Sequence, residues 1–169
     1  MPATYEKIAT TTLGSANATV SFTSISSGYT DLRLVLVGTV TTGGGFGHLR
    51  FNSDSATNYS FTNVYGDGTS AASSRQTSVN SIKILDNITA GGTSSTTPFL
   101  TEIDIFSYAG STNKTAMQRF SGDRNGSGIT ISLVGLWRST SAITAVSITS
   151  SDSTFKTGTT ATLYGILKA

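Results

Sequence analysis

Apolar and polar side chains alternate along this chain with a period of two, the spacing of a β-strand. No stretch carries convincing helical periodicity. The strongest apolar run is Asp31-Leu32-Arg33-Leu34-Val35-Leu36-Val37-Gly38-Thr39-Val40. Leu32, Leu34 and Leu36 fall on one face of a strand, and Val35 and Val37 on the other. Being apolar on both faces, the run predicts a strand in the middle of a packed sheet. A buried helix is the rival reading, but the β-branched residues and the Gly43-Gly44-Gly45 break downstream favour strand.

Further strands are predicted along the chain. Residues 5–11 read as a short strand or an ordered arm anchored by Ile8, with 1–12 as an N-terminal arm. Val20, Phe22 and Ile25 mark the next strand, and residues 48–51 resume after the glycine run. Residues 59–65 alternate and read as half-buried. Residues 66–74 read as a polar loop, the longest exposed excursion. A strand over 79–85 follows, with Ile82 and Ile84 inward and Lys83 outward. The loop 91–97 ends at Pro98, and residues 100–108 place Ile103 and Ile105 on one face and Glu102 and Asp104 on the other. Residues 115–121 are a weaker strand, in which Met117 and Arg119 break the alternation. Asp123-Arg124-Asn125-Gly126 supplies a hairpin-type turn. Residues 129–138, carrying Trp137, then 145–148 and 161–166 complete the set.

About ten short strands at even spacing predict an all-β fold, an antiparallel jelly-roll-like β-sandwich. Leu34, Leu36, Ile103, Ile105, Leu133 and Val146 are its expected core. Residues 1–169 form a single domain, with no internal repeat. At this size a chain buries a core without staples, and with no cysteine it has no disulfide.

Charge narrows the partners. Charged residues make up 12% of the chain, about half the usual ~25%. The surface is therefore covered mainly by hydroxyls and backbone. The eleven Lys and Arg are scattered from Lys7 to Lys168. Nucleic-acid binding asks for a dense basic face, so no nucleic-acid partner is expected. No segment approaches a membrane span, and Met1-Pro2-Ala3-Thr4-Tyr5-Glu6-Lys7 lacks the apolar core of a signal peptide. A soluble protein made in the cytoplasm is expected.

Candidate chemistry is thin, and each candidate has a structural reading beside it. His48 is the single histidine, on a strand face with Arg50. A Ser-His-Asp triad is numerically possible, but no Gly-x-Ser-x-Gly elbow occurs, and a hydrogen-bonding strand histidine is the simpler reading. One histidine without cysteine disfavours zinc. Glu102 and Asp104 share a strand face, whereas glycosidases place paired carboxylates across a cleft. Asn52, Asp54 and Asn58 offer oxygens for Ca²⁺, though a side-chain-capped turn uses the same residues. Gly43-Gly44-Gly45-Phe46-Gly47 lacks the following helix or lysine of a phosphate cradle and reads as a hairpin loop. Five Asn-x-Ser/Thr triplets, at Asn17, Asn58, Asn87, Asn113 and Asn125, fit coincidence in a Ser/Thr-rich chain. No catalytic, cofactor or metal residue is assigned, and no enzyme activity is expected.

Four groups of residues carry a resemblance. They are Tyr29-Thr30-Asp31-Leu32; Leu49-Arg50-Phe51-Asn52-Ser53-Asp54 with Asn58-Tyr59-Ser60; Gly135-Leu136-Trp137-Arg138-Ser139-Thr140-Ser141-Ala142-Ile143; and Phe155-Lys156-Thr157-Gly158-Thr159 with Leu163-Tyr164-Gly165-Ile166. Together they resemble small structural proteins of tailed bacteriophages, notably phages of cyanobacteria and other aquatic bacteria. The resemblance implies a jelly-roll module that decorates a capsid or forms a tail appendage, with no active-site residues to carry over. A tail fibre usually needs a shaft and an attachment domain, and 169 residues hold one compact unit. The expected function is therefore a capsid decoration (cement) protein at the virion surface, a homotrimer that partners the major capsid protein. The alternative is a small tail or receptor-binding protein that binds host glycan, with Tyr29, Tyr59, Tyr65 or Trp137 stacking on sugar. Their alternating positions also suit a core.

Overall fold

A computed structural model of the chain describes residues 4–42, 47–85, 95–123 and 126–167. Among them run twelve strands and no helix: β1 (Tyr5–Thr12), β2 (Thr19–Phe22), β3 (Asp31–Gly38), β4 (Gly47–Phe51), β5 (Tyr59–Gly66), β6 (Ala71–Val79), β7 (Ile82–Leu85), β8 (Phe99–Phe106), β9 (Lys114–Gly122), β10 (Ile129–Trp137), β11 (Val146–Ser150) and β12 (Thr160–Ile166). They form an eight-stranded sheet ordered β1-β12-β3-β8-β9-β10-β5-β6 and a four-stranded sheet ordered β2-β11-β4-β7. Neighbours are antiparallel throughout.

The topology is a jelly roll with two insertions. With β5, β6, β9 and β10 set aside, the other eight strands, renumbered in chain order, lie as 1-8-3-6 and 2-7-4-5. That is a long hairpin rolled into two packed sheets. The hairpins β5–β6 and β9–β10 both add to the larger sheet beyond β8. They widen one layer without widening the other.

Alternation decides which face packs. One inward row crosses the large sheet as Leu34, Ile103, Gln118, Leu133 and Asn63. The six expected core residues are all at most 2% exposed. The two layers meet closely where β10 crosses β7. A Cβ at Gly135 would lie 2.6 Å from Ile82 Cδ1, so only glycine lets the sheets approach there.

Several expectations are corrected. The central strand is not buried on both faces: Val35 is half-buried and Val37 is 42% exposed, because no layer of the described residues covers the outer face of the large sheet. Of the expected N-terminal arm, residues 5–12 take the strand reading, as β1 pairs with β12 at the sheet edge, and residues 1–3 lie outside the described residues. The expected loop 66–74 is a tight turn followed by β6, in which Asp67 Oδ1 accepts bonds from the backbone N–H of Thr69 and Ser70. The expected strand 79–85 is two elements, since Val79 ends β6 on the large sheet and Ile82 begins β7 on the small one. Residues 115–121 belong to a full strand whose inward row is Lys114, Ala116, Gln118 and Phe120. In β5 the inward row continues through Asn63, leaving Val64 outside at 53% exposed. Gly43 to Phe46, residues 91–94 of the second loop, and Arg124 and Asn125 of the predicted turn lie outside the described residues.

Candidate functional site

The residues singled out from sequence do not converge on one place. Residues 52–59 and 137–145 meet at one end of the sandwich. Asn52 has positive φ, a conformation that asparagine tolerates, and its side chain clamps the segment before β11. Its Oδ1 accepts from the N–H of Thr144 (2.8 Å) and Ala145 (3.0 Å), while its amide donates to Ala142 O (2.8 Å). Asp54 accepts from Ala56 N–H, Asn58 Nδ2 and Trp137 Nε1. These bonds hold its carboxyl below the ordinary value. Phe51, Tyr59 and Trp137 pack together below it.

This is a polar clamp over an aromatic core. The side-chain oxygens of Asn52 and Asp54 face N–H donors instead, Asn58 Oδ1 is buried without a hydrogen-bond partner, and no group of three acidic, histidine or cysteine side chains placed to hold a metal occurs among the described residues. Tyr59 and Trp137 are buried, so neither ring presents a face to a sugar. Tyr29 lies half-buried across Gly165, where a Cβ would strike its ring, and Tyr65 is half-buried on the inward side of β5. Of the four aromatics expected to stack on sugar, Tyr59 and Trp137 thus offer no exposed ring.

His48 stands elsewhere, on the outer face of the small sheet. Its Nδ1 lies 2.8 Å from Ser81 Oγ. Burial first, then the charges of Arg50 and Lys83, hold its pKa below 6.5. Ser81 is 2% exposed, so its hydroxyl is out of a substrate's reach. The pair is a structural hydrogen bond.

Glu102 and Asp104 share the outer face of β8, as expected, and each meets its own arginine across the strands. Asp104 is bidentate to Arg33 at 2.6 and 2.8 Å, and Glu102 lies 3.5 Å from Arg119. The triplet asparagines are scattered: Asn17 caps Thr19, Asn58 joins the clamp, Asn113 is exposed, and Asn87 and Asn125 lie outside the described residues.

Beyond Glu102 and Asp104, the part of the large sheet's outer face formed by β10 and β5 was not singled out from sequence. Neither β10 nor β5 contains a charged residue. Their outward rows are Thr130, Ser132, Val134, Leu136 and Ser60, Thr62, Val64. Val134 (47%), Val64 (53%) and Met117 (46%) are the most exposed large apolar side chains in this part of the sheet. A shallow depression of about 360 Å³ lies among them, lined also by Thr62 and Ser132. The signal that could have found this face is the register: once Phe61 and Leu133 point inward, Val64 and Val134 must point out.

Comparison of the chain with protein-family models and with curated proteins finds no match to either.

Proposed function

We propose that this chain is a virion structural protein, a capsid decoration or cement protein of a tailed bacteriophage, acting by binding rather than catalysis. The observation that carries this reading is the outer face of the large sheet. It is broad and hydroxyl-lined, and its Asp104 and Glu102 are already paired with Arg33 and Arg119 of the same chain. Such a face docks on protein without burying an unpaired ion. In this reading the partner is the major capsid protein, and copies of the chain close into a homotrimer at threefold positions of the shell. The protein is made in the host cytoplasm and ends on the capsid surface. Burial of Tyr59 and Trp137 counts against the glycan-binding tail alternative.

The test is location and copy number by electron microscopy of the virion. Many copies in threefold arrangement are expected, together with capsids that withstand heat or osmotic shock less well without the protein. A few molecules confined to the tail would reject cementing.

A further inference from the structure

We infer that the outer face of the small sheet holds an oxyanion site, formed by His48, Arg50 and Lys83 and fitted to a sulfate or phosphate group. The four strands of that sheet carry these three basic residues and no acidic one. The register gathers them. His48 and Arg50 are alternate residues of β4, and Lys83 of β7 pairs with His48. Such positions lie ~4.8 Å apart across strands and ~6.8 Å apart along one, at ~3.4 Å per residue. Long basic side chains rooted that close can reach one anion together. All three are half-buried, and Arg50 Nε donates to Asn80 O at 3.0 Å, which anchors the guanidinium.

Hydroxyls continue the bed on the other side of β4, where Thr149 pairs with His48 and Ser147 with Arg50. A tetrahedral dianion offers its oxygens to several donors at once, and each charge-assisted bond is roughly twice as strong as a neutral one. The outer face of the large sheet differs, since Arg33 and Arg119 there meet Asp104 and Glu102.

The site is coupled to pH. Arg50 and Lys83 act on the His48 ring as like charges, and Asp152, exposed just after β11, opposes them. A dianion seated among the three reverses that balance and favours the protonated ring. Binding therefore takes up a proton. Affinity rises as pH falls below the ring's pKa in the complex and levels off below its pKa in the free protein. The site lies on the layer opposite the face that carries the cementing reading, so each can fail without the other.

The experiment is a titration of the whole purified protein with sodium sulfate, at constant ionic strength in sodium chloride, followed by NMR of the His48 ring and the backbone amides. Sulfate keeps its charge across the range, so any pH dependence belongs to the protein. Saturable binding should be about five- to tenfold tighter at pH 5 than at pH 8, and saturating sulfate should raise the His48 pKa by about one unit. Arg50→Gln and Lys83→Gln should each weaken binding by about tenfold, while Arg75→Gln on the large sheet leaves it unchanged. Circular dichroism at pH 8 checks that each variant is folded, and the His48 pKa reads the site in the native chain without any substitution. A sulfated disaccharide and its unsulfated parent separate the sources. Tighter binding of the sulfated sugar than of sulfate assigns the anion to a carbohydrate, equal binding assigns it to a free ion, and the site stands in both cases. Shifts that never saturate, meaning an adventitious ion only, would overturn the inference. A His48 pKa that sulfate leaves unchanged, or an equal loss in Arg75→Gln, would overturn it too.

Discussion

Trp137 Nε1 donates a 2.7 Å hydrogen bond to Asp54 Oδ2, joining the last residue of β10 to the turn after β4. One strand belongs to the large sheet and the other to the small one, so this bond ties the two layers at their end. The indole is 2% exposed, so in the folded protein its donor relies on the carboxylate and not on water.

Asp54→Ala should therefore destabilise the fold by about 1–3 kcal/mol, the cost of leaving a buried donor unmatched. Trp137 is the chain's one tryptophan, so fluorescence reads the site directly. Native emission should resist acrylamide quenching, and the variant should lose that protection. Because the folded carboxyl titrates below its ordinary 3.8, its contribution is present above that pH and is lost as pH falls through the lower, folded value. Strong quenching of the native protein would reject the clamp.

Lys114 gives a second prediction. It is fully buried, donates from Nζ to Gly110 O (2.7 Å) and Thr112 O, and meets no carboxylate among the described residues. Burial lowers its pKa below 10.5. The unfolded chain then holds the extra proton, so stability should rise as pH increases toward 10.5. Lys114→Met keeps the volume and removes the buried charge, and it should be neutral or stabilising in thermal melts. A loss of several kcal/mol would show that the carbonyl bonds outweigh the desolvation.

Much of the jelly roll was legible because its core strands alternate cleanly, as in Leu32-Arg33-Leu34 or Ile103-Asp104-Ile105. Strand β6 was not legible. Ala71-Ala72-Ser73-Ser74-Arg75-Gln76-Thr77-Ser78 is an edge strand exposed on nearly every residue, and a strand wet on both faces has no apolar period to read. In β9 the buried positions include Lys114 and Gln118, whose polarity hid a regular register. Val37 misled in the opposite sense, as an apolar residue on an open face. The clamp was out of reach for another reason: Asp54 and Trp137 lie 83 residues apart, and only the fold brings them together.

His48 should make stability sensitive to mild acid. Its folded pKa is held below 6.5 by burial and by Arg50 and Lys83, so the folded state prefers the neutral ring. Between the folded value and 6.5 the unfolded chain binds the proton more readily. This contribution is complete above 6.5 and declines as pH falls below it. His48→Gln retains a hydrogen-bonding partner for Ser81 and should flatten the denaturation midpoint across pH 5 to 7. An unchanged slope in the variant would assign the acid sensitivity to other groups.

The two faces of β3 provide the sharpest test of the layer arrangement. Leu34 is 1% exposed against the small sheet's side, and Val37, three residues later, is 42% exposed on the open side. Leu34→Ala should cost about 2–5 kcal/mol, since it loses both transfer free energy and packing. Val37→Thr keeps the β-branched shape the strand favours and exchanges an exposed methyl for a hydroxyl. It should change stability by about 0.5 kcal/mol or less. Urea denaturation of both variants gives the ratio. Equal, large losses would mean that the open face is covered within the monomer, which the single-sided core forbids. If Val37→Thr is costly only at protein concentrations where the chain associates, the open face is covered by another molecule, and the loss should vanish on dilution.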